Sequence, residues 1–399
     1  MSKQIQDAYI VAVQRTPVGK APRGMFRITR PDDMLAFAIN ATLSTVPQVD
    51  KSRIDDAVIG CAMPEAEQGM NVARIGVLLA GLPNIVSAVT VNRFCSSGLQ
   101  AVAMAADRIR LGEADLMLAG GTESMSMVPM MGYHPVFNPS IFSNEHIGIA
   151  YGMGITAEKV AEQWQVTREQ QDAFAAASHA KALAAIASGE FADEITPYAL
   201  ADHYPNLATR ATVDDTRTVK NDEGPRAGTT SDVLAKLRPA FRANGSVTAG
   251  NSSQMSDGAG AVLLASEQAI KDYNLTPLAR FVGFAVAGVP PEVMGIGPKA
   301  AIPKALKQTG IKQDDLDWIE LNEAFAAQSL AVIKDLGINP DKVNPLGGAI
   351  ALGHPLGATG AIRVATLLHG LRRRKQKYGM VTMCIGTGMG AAGVFEALR

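Results

Sequence analysis

Four short stretches of this chain place reactive side chains where covalent chemistry is possible. In Val91-Asn92-Arg93-Phe94-Cys95-Ser96-Ser97-Gly98-Leu99-Gln100, the cysteine follows an apolar run from Ile85 to Val91. It precedes an Ala/Met/Leu-rich helix, Leu99–Leu111. Cys95 is therefore expected at a strand-to-helix turn, beside N–H groups that favour negative charge, where a thiol should ionise more readily than a free one. The thiolate is the nucleophilic form of cysteine, although a lone cysteine at such a turn also fits a small buried hydrophobe. The second stretch, Gly347-Gly348-Ala349-Ile350-Ala351-Leu352-Gly353-His354-Pro355-Leu356-Gly357-Ala358-Thr359-Gly360, holds His354 between glycine and proline in an extended or turn geometry. Histidine is the natural base for a thiol near neutral pH.

In the third stretch, Val381-Thr382-Met383-Cys384-Ile385-Gly386-Thr387-Gly388-Met389-Gly390, Cys384 ends a short buried strand and meets a run of glycines. Gly388–Gly393 also fits Gly-x-Gly-x-x-Gly. The helix, second strand and ribose-binding acid of a dinucleotide site do not follow it, so its N–H groups are read as suited to an oxyanion. The fourth, Leu321-Asn322-Glu323-Ala324-Phe325-Ala326, follows the strand-like Trp318–Glu320 and opens a helix. Asn322 is there either a cap or a group that orients a water or a substrate oxygen.

The elements that must position these groups alternate along the chain. Strand-like Tyr9–Val13, helical Met34–Leu43, strand-like Asp56–Ile59, helical Asn71–Leu79, Ile85–Val91, the Leu99–Leu111 helix and the strand Leu116–Ala119 give an α/β layered rhythm with a buried sheet. From about residue 122 to 248 the chain turns Met-, Pro- and polar-rich, with irregular stretches around Pro135–Pro139 and His203–Pro225. One amphipathic helix, Thr167–Ser188, stands out, opened by a Thr167/Gln170 capping box and closed by Gly189. Strand-like Gly258–Ala265 and Ala279–Val286 resume the pattern. The order strand, reactive residue, glycine, helix, strand occurs twice: Val91-Asn92 before Cys95, and Val343-Asn344 before His354. Two such halves packed face to face would bring Cys95 and His354 to one centre; chance similarity of two βαβ units is the other reading. The expected organisation is 1–121 as an N-terminal α/β half, 122–248 as an inserted loop domain, 249–274 as a return to the first half, and 275–399 as a C-terminal half.

Composition bounds the rest. A chain of 399 residues, 47 % hydrophobic, exceeds one ordinary core. A net charge of −1 argues against nucleic acid or an anionic membrane as partner. Cys61, Cys95 and Cys384 are too few and too scattered for a disulfide framework, which suits a reducing compartment. With a strand expected almost at once and no apolar run of membrane length, no leader is expected and the location read is cytoplasmic. No Cys-x-x-Cys or His-Glu-x-x-His element is present, so no metal is expected.

The four blocks, in this order, resemble the thiolase family, and the likeness runs from Arg15-Thr16-Pro17-Val18-Gly19-Lys20 to the glycine-rich C-terminal region. The resemblance implies a five-layered αβαβα body of two similar halves with an inserted loop domain, and a homodimer or homotetramer. It makes Cys95 the acylated nucleophile, His354 the base and Cys384 the second acid/base. Asn322 would hold an oxyanion-hole water, and the Gly386 N–H would stabilise an enolate. By motif, Met153, Arg226, Ala249 and Ser253 resemble positions that touch coenzyme A or its pantetheine arm, and Ala324 and Phe325 part of the acyl-pocket wall. The implied activity is thiolysis of a 3-oxoacyl-CoA by coenzyme A to acetyl-CoA and a shortened acyl-CoA, as in fatty acid β-oxidation. Coenzyme A is then a co-substrate and no cofactor is needed; a hydratase/dehydrogenase partner subunit is left open. The alternative is a short-chain acetoacetyl-CoA thiolase working in the condensing direction. Against that branch, Gly152 stands where it usually has histidine before Met-Gly. Ile362, followed by Arg363, stands where many members have arginine. A ketoacyl synthase is disfavoured by Cys384, since such enzymes place histidine or asparagine there. A non-catalytic acyl-CoA carrier is disfavoured by the joint presence of Cys95, His354 and Cys384, and a redox pair of Cys95 and Cys384 is a further reading.

Overall fold

The computed structural model describes residues 5–398 apart from Asn144. Nine strands build its main sheet: β1 (Ala8–Arg15), β2 (Asp56–Gly60), β3 (Ser87–Val91), β4 (Leu116–Ser124), β5 (Ser256–Ala265), β6 (Ala279–Gly288), β7 (Leu316–Leu321), β8 (Tyr378–Ile385) and β9 (Met389–Ala397). They run in the order β7-β8-β9-β6-β1-β5-β4-β2-β3, with the short Gly19–Lys20 strand on the side of β5. The main helices are α1 (Pro31–Ser44), α2 (Val72–Leu79), α3 (Ser97–Arg110), α4 (Met153–Gln163), α5 (Arg168–Ala187), α6 (Gly297–Thr309), α7 (Ala326–Leu336) and α8 (Leu356–Arg373).

The repeat glimpsed in the sequence is a repeat of topology. On one side, β2 runs parallel to β3 and β4, and β4 antiparallel to β5. On the other, β7 runs parallel to β8, and β8 antiparallel to β9. The place of β3 is taken there by a single bridge between Ile319 and Val343, the residue before Asn344. The halves share a sheet edge only where Ala8, Tyr9 and Ile10 of β1 meet Phe281, Arg280 and Ala279 of β6.

Five layers follow from which side chains pack together. Leu35, Ile39 and Val77 of α1 and α2 cover Leu116, Leu118 and Leu263 on the outer face of the first half. Ile302, Leu306 and Val332 of α6 and α7 cover Ile319, Met380 and Val394 on the outer face of the second. Between the two halves of the sheet lie α3 and α8, where Leu99, Val102, Val364 and Leu367 meet Met117 and Val262 from one half and Val381 and Phe395 from the other. Strands covered on both faces need no apolar/polar alternation, and β4 and β5 are buried throughout. The middle helices are small-residue helices for a steric reason. A Cβ on Gly360 would lie 2.1 Å from the Leu99 backbone nitrogen, so α3 and α8 touch backbone to backbone.

The stretch between β4 and β5 is more ordered than its composition suggests. The Thr167/Gln170 capping box opens α5 as expected, and α4 precedes it. Much of the stretch read as irregular from His203 forms an antiparallel hairpin, Tyr198–Asn206 with Ala211–Val219. Its second strand is exposed or half-buried along its whole length, so no hydrophobic alternation announced it.

Candidate active site

Cys95 arrives at its position through a tight turn. β3 ends at Val91, Asn92 Oδ1 accepts the Phe94 N–H at 2.8 Å, and Ser97 Oγ accepts the Arg93 N–H at 2.8 Å while donating to the Phe94 carbonyl at 2.7 Å. Phe94 takes φ +42°, a left-handed conformation uncommon outside glycine, and the 3-10 turn Phe94–Ser96 then feeds α3. The sulfur packs against Ala62, Met125 and Leu356. One expectation is corrected here. The N–H groups of Gly386 and of Cys95 itself do favour the thiolate, but burial outweighs them and pushes the Cys95 thiol up to about 12. The helix terminus was legible in sequence; the exclusion of water was not. The resting group is a thiol and needs a base.

His354 is set by the turn that leads into α8. Gly353 adopts φ +96°, and a Cβ there would come 2.5 Å from Ser256 Oγ, so only glycine lets the chain enter the His354 turn. The His354 N–H donates to Ser256 Oγ at 3.1 Å. Around the ring, Nδ1 lies 2.6 Å from Thr359 Oγ1 and Nε2 lies 3.3 Å from Asn322 Nδ2. An amide N–H donating to Nε2 leaves the lone pair on that nitrogen and the proton on Nδ1, where the Thr359 hydroxyl accepts it. Burial, and then the Arg363 charge, push His354 down to about 3, so the imidazole is neutral.

Cys384 closes the group from β8. It lies in an apolar cluster with Ala157, Val247, Met294, Ala324 and Phe325, against which Met153 also packs. Burial raises its thiol, and repulsion from Cys95 adds to the rise, as two nearby sulfurs require. The Asn322 N–H donates to Thr382 O at 2.9 Å, tying it two residues from Cys384. Asn322 Oδ1 is buried with no hydrogen-bond partner. Gly386 is wedged between Phe94 and Met153, each 3.7 Å from where its Cβ would be.

Links between neighbours thus chain the five residues together: Cys95 to Gly386 and to Cys384, and His354 to Asn322, which is tied beside Cys384. Met153, Ala324 and Phe325 line the apolar side at Cys384, with Phe241 edge-on to Phe325 at 6.0 Å, and the Ser253 N–H donates to Ala324 O at 2.9 Å. Arg226, in the stretch between β4 and β5, and Ala249, near its end, lie exposed and outside that cluster; the Arg226 N–H donates to His179 Nδ1 at 3.2 Å. Sequence reasoning missed Thr359, Met294 and Glu123. The buried Glu123 carboxylate accepts the N–H groups of Ala62 and Gly357 at 2.8 Å each and so ties β4 to the start of α8. Only the turn geometry after His354 shows that Thr359 faces back to the ring. Ile362 packs on Val18 and Ala358. Among the described residues no three His, Cys, Asp or Glu side chains are grouped to hold a metal, and no helix is long and apolar enough to cross a membrane.

Comparison with known proteins decides the family. Residues 8–268 match the model "Thiolase, N-terminal domain" and residues 275–397 match "Thiolase, C-terminal domain". The chain belongs to the thiolase family. Within this family it is 52 % identical to a Bacillus subtilis protein named 3-ketoacyl-CoA thiolase, covering 98 % of this chain and 100 % of that one. A mouse protein named 3-ketoacyl-CoA thiolase B, peroxisomal, is 48 % identical over 98 % of this chain and 91 % of its own length. Among solved structures, the dimeric peroxisomal thiolase of Saccharomyces cerevisiae superposes with a TM-score of 0.88 at 41 % identity, covering 98 % of each chain.

Proposed function

We propose that this thiolase-family protein cleaves 3-oxoacyl-CoA with coenzyme A, giving acetyl-CoA and an acyl-CoA two carbons shorter, through an acyl-cysteine at Cys95. The observation that supports the reading is a pair of neighbouring buried thiols, Cys95 and Cys384, with a neutral His354 bonded to Asn322, whose own N–H is tied to the strand two residues from Cys384. The names of the relatives at 52 % and 48 % identity agree with it.

His354 Nε2 takes the Cys95 proton, and the thiolate attacks the 3-keto carbon. The alkoxide that forms is stabilised by the imidazolium and by a water held at Asn322. When the C2–C3 bond breaks, its electron pair leaves on the acetyl-CoA enolate, whose oxygen the Cys95 and Gly386 N–H groups stabilise while Cys384 supplies the proton to C2. Coenzyme A then gives its thiol proton to the Cys384 thiolate and attacks the acyl-cysteine, and the His354 imidazolium returns its proton to the departing Cys95 sulfur, so that the shortened thioester leaves and all three groups are restored. A thiol pushed up to about 12 is a poor spontaneous nucleophile, so the attack depends on the base.

Residues 122–248 act as the loop domain that holds coenzyme A, with Met153, Arg226, Ala249 and Ser253 as contacts and Ala324 and Phe325 on the acyl side. A homodimer is supported by the open sheet edge at β3, where Val89 is 41 % exposed beside Ile85 at 72 %. The three unpaired cysteines favour the cytoplasm. The test is a pair of variants. Cys95→Ser abolishes acyl-enzyme formation seen by mass spectrometry, whereas Cys384→Ser still accepts an acyl group from a preformed thioester but loses carbon–carbon cleavage. Equal, mild losses in both variants overturn the assignment. Thiolysis of acetoacetyl-CoA against a medium-chain 3-oxoacyl-CoA decides chain length; cleavage of the former alone favours the short-chain enzyme.

A further inference from the structure

The steps above leave the buried guanidinium nearest His354 without a task. Arg363 is 2 % exposed in α8. Its Nη2 donates to the Gly353 carbonyl at 3.3 Å, the peptide that leads directly into His354. Its Nη1 lies 3.8 Å from Glu320 Oε2. Glu320 is itself 1 % exposed, and its other oxygen accepts the Trp318 indole N–H at 2.7 Å. Glu320 sits on β7, two residues before Asn322. The Arg363–Glu320 contact therefore joins the segment presenting His354 to the segment presenting Asn322, the two groups that must face a single oxygen.

Stability does not account for this pair. Arg363 Nε and Nη1 and Glu320 Oε2 have no hydrogen-bond partner. A buried pair with unsatisfied atoms is commonly no better for folding than a well-packed apolar one. Ile362, at the position where the resemblance expects arginine, faces Val18 and Ala358, so the cation of this helix comes from the next residue.

We propose that Arg363 is a positioning residue which, through the Gly353 carbonyl and Glu320, holds His354 and Asn322 at the spacing that receives the developing oxyanion. The inference rests on the reading of His354 as base. Electrostatics point the same way. Arg363 also acts on Glu320 and on Glu323 in the loop after β7, while Glu194, after α5, acts on Glu320. Of the charged groups around the ring, Arg363 is the one that lowers His354, second only to burial. Removing its charge makes the imidazolium easier to form.

The full-length enzyme is compared with Arg363→Lys, Arg363→Met and the double variant Arg363→Met/Glu320→Gln, the last removing both charges while keeping an acceptor for the Trp318 indole N–H. The measurements are kcat and KM in thiolysis of acetoacetyl-CoA, the melting temperature, and the rate of Cys95 alkylation by iodoacetamide against pH. The double variant keeps its melting temperature, loses about 10- to 100-fold in kcat with KM changed less than about two-fold, and shows the acid limb of alkylation at higher pH. Arg363→Lys, which keeps the charge but not the planar fork, loses kcat while its acid limb stays in place. A double variant that melts normally and turns over like the wild type overturns the proposal. So does a kcat loss that tracks a lowered melting temperature with an unmoved alkylation limb. Wild-type-like Arg363 variants beside an inactive His354→Asn refute the role of Arg363 alone; a His354→Asn enzyme that alkylates and turns over normally refutes the base reading and this role with it.

Discussion

Replacing Thr359 by valine tests how the base is held, because the change keeps the branched shape and removes only the hydroxyl. Both partners are inaccessible, His354 at 4 % and Thr359 at 0 % exposure, and their contact is 2.6 Å. No water can replace the lost acceptor cheaply, so the Nδ1–H is left unsatisfied at a cost of about 1–3 kcal/mol, toward the upper end once the ring carries a charge. Only the part of that cost felt more strongly in the charged transition state slows the reaction. At about 1.4 kcal/mol per tenfold, kcat is expected to fall roughly 5- to 100-fold. The assay is single-turnover acylation of Cys95 followed by mass spectrometry, with urea melts as a control and Thr359→Ser to restore the hydroxyl. Since His354 already titrates near about 3, the loss should be the same across roughly pH 6 to 8. Acylation within about two-fold of wild type, or a loss that disappears as pH rises, would refute the role given to this bond.

Two more outcomes follow from packing and charge. Gly360→Ala places a methyl where the Leu99 backbone nitrogen is 2.1 Å away, so α3 and α8 must part; urea unfolding should show a loss of about 3 kcal/mol or more, and an alanine tolerated without loss contradicts the backbone contact. Burial pushes the Glu320 carboxyl up to about 7 from an ordinary 4.5. The folded state therefore holds a proton that the unfolded chain releases, and this stabilisation is full below about pH 4.5 and is lost as pH rises through about 7. Glu320→Gln should flatten that part of the pH–stability curve, by about 3 kcal/mol at most, in urea titrations between pH 4.5 and 8; an unchanged slope counts against the raised value.

The fold was legible where local rules and tertiary environment agree. The apolar run before Cys95, the helix after it and the Thr167/Gln170 box needed only periodicity and capping. Other features required the third dimension. Ile85 reads as the start of a buried strand, yet the strand begins at Ser87 and Ile85 is 72 % exposed, because β3 closes the sheet and has no neighbour on its far side. The hairpin at Tyr198–Val219 buries only its base, where Leu200, Tyr198 and Val219 meet the first half, and its second strand carries no run of apolar residues to betray it. The site was visible as four blocks, because glycines beside a reactive residue leave a local mark. Thr359 and Glu123 leave none: each acts on a residue brought to it by a turn or by the docking of the other half. The ionisation of Cys95 went the other way for the same reason, since a helix start is written in the chain and a dry pocket is not.

The backbone contact between α3 and α8 makes turnover a report on assembly. Cys95 enters one of these helices and His354 leads into the other, each helix belonging to a different copy of the repeated topology. Neither copy by itself owns a nucleophile and its base. A molecule with both halves of the sheet formed but the middle layer unseated would show native-like backbone signals and no chemistry, so activity measures the last docking event in the life of the chain.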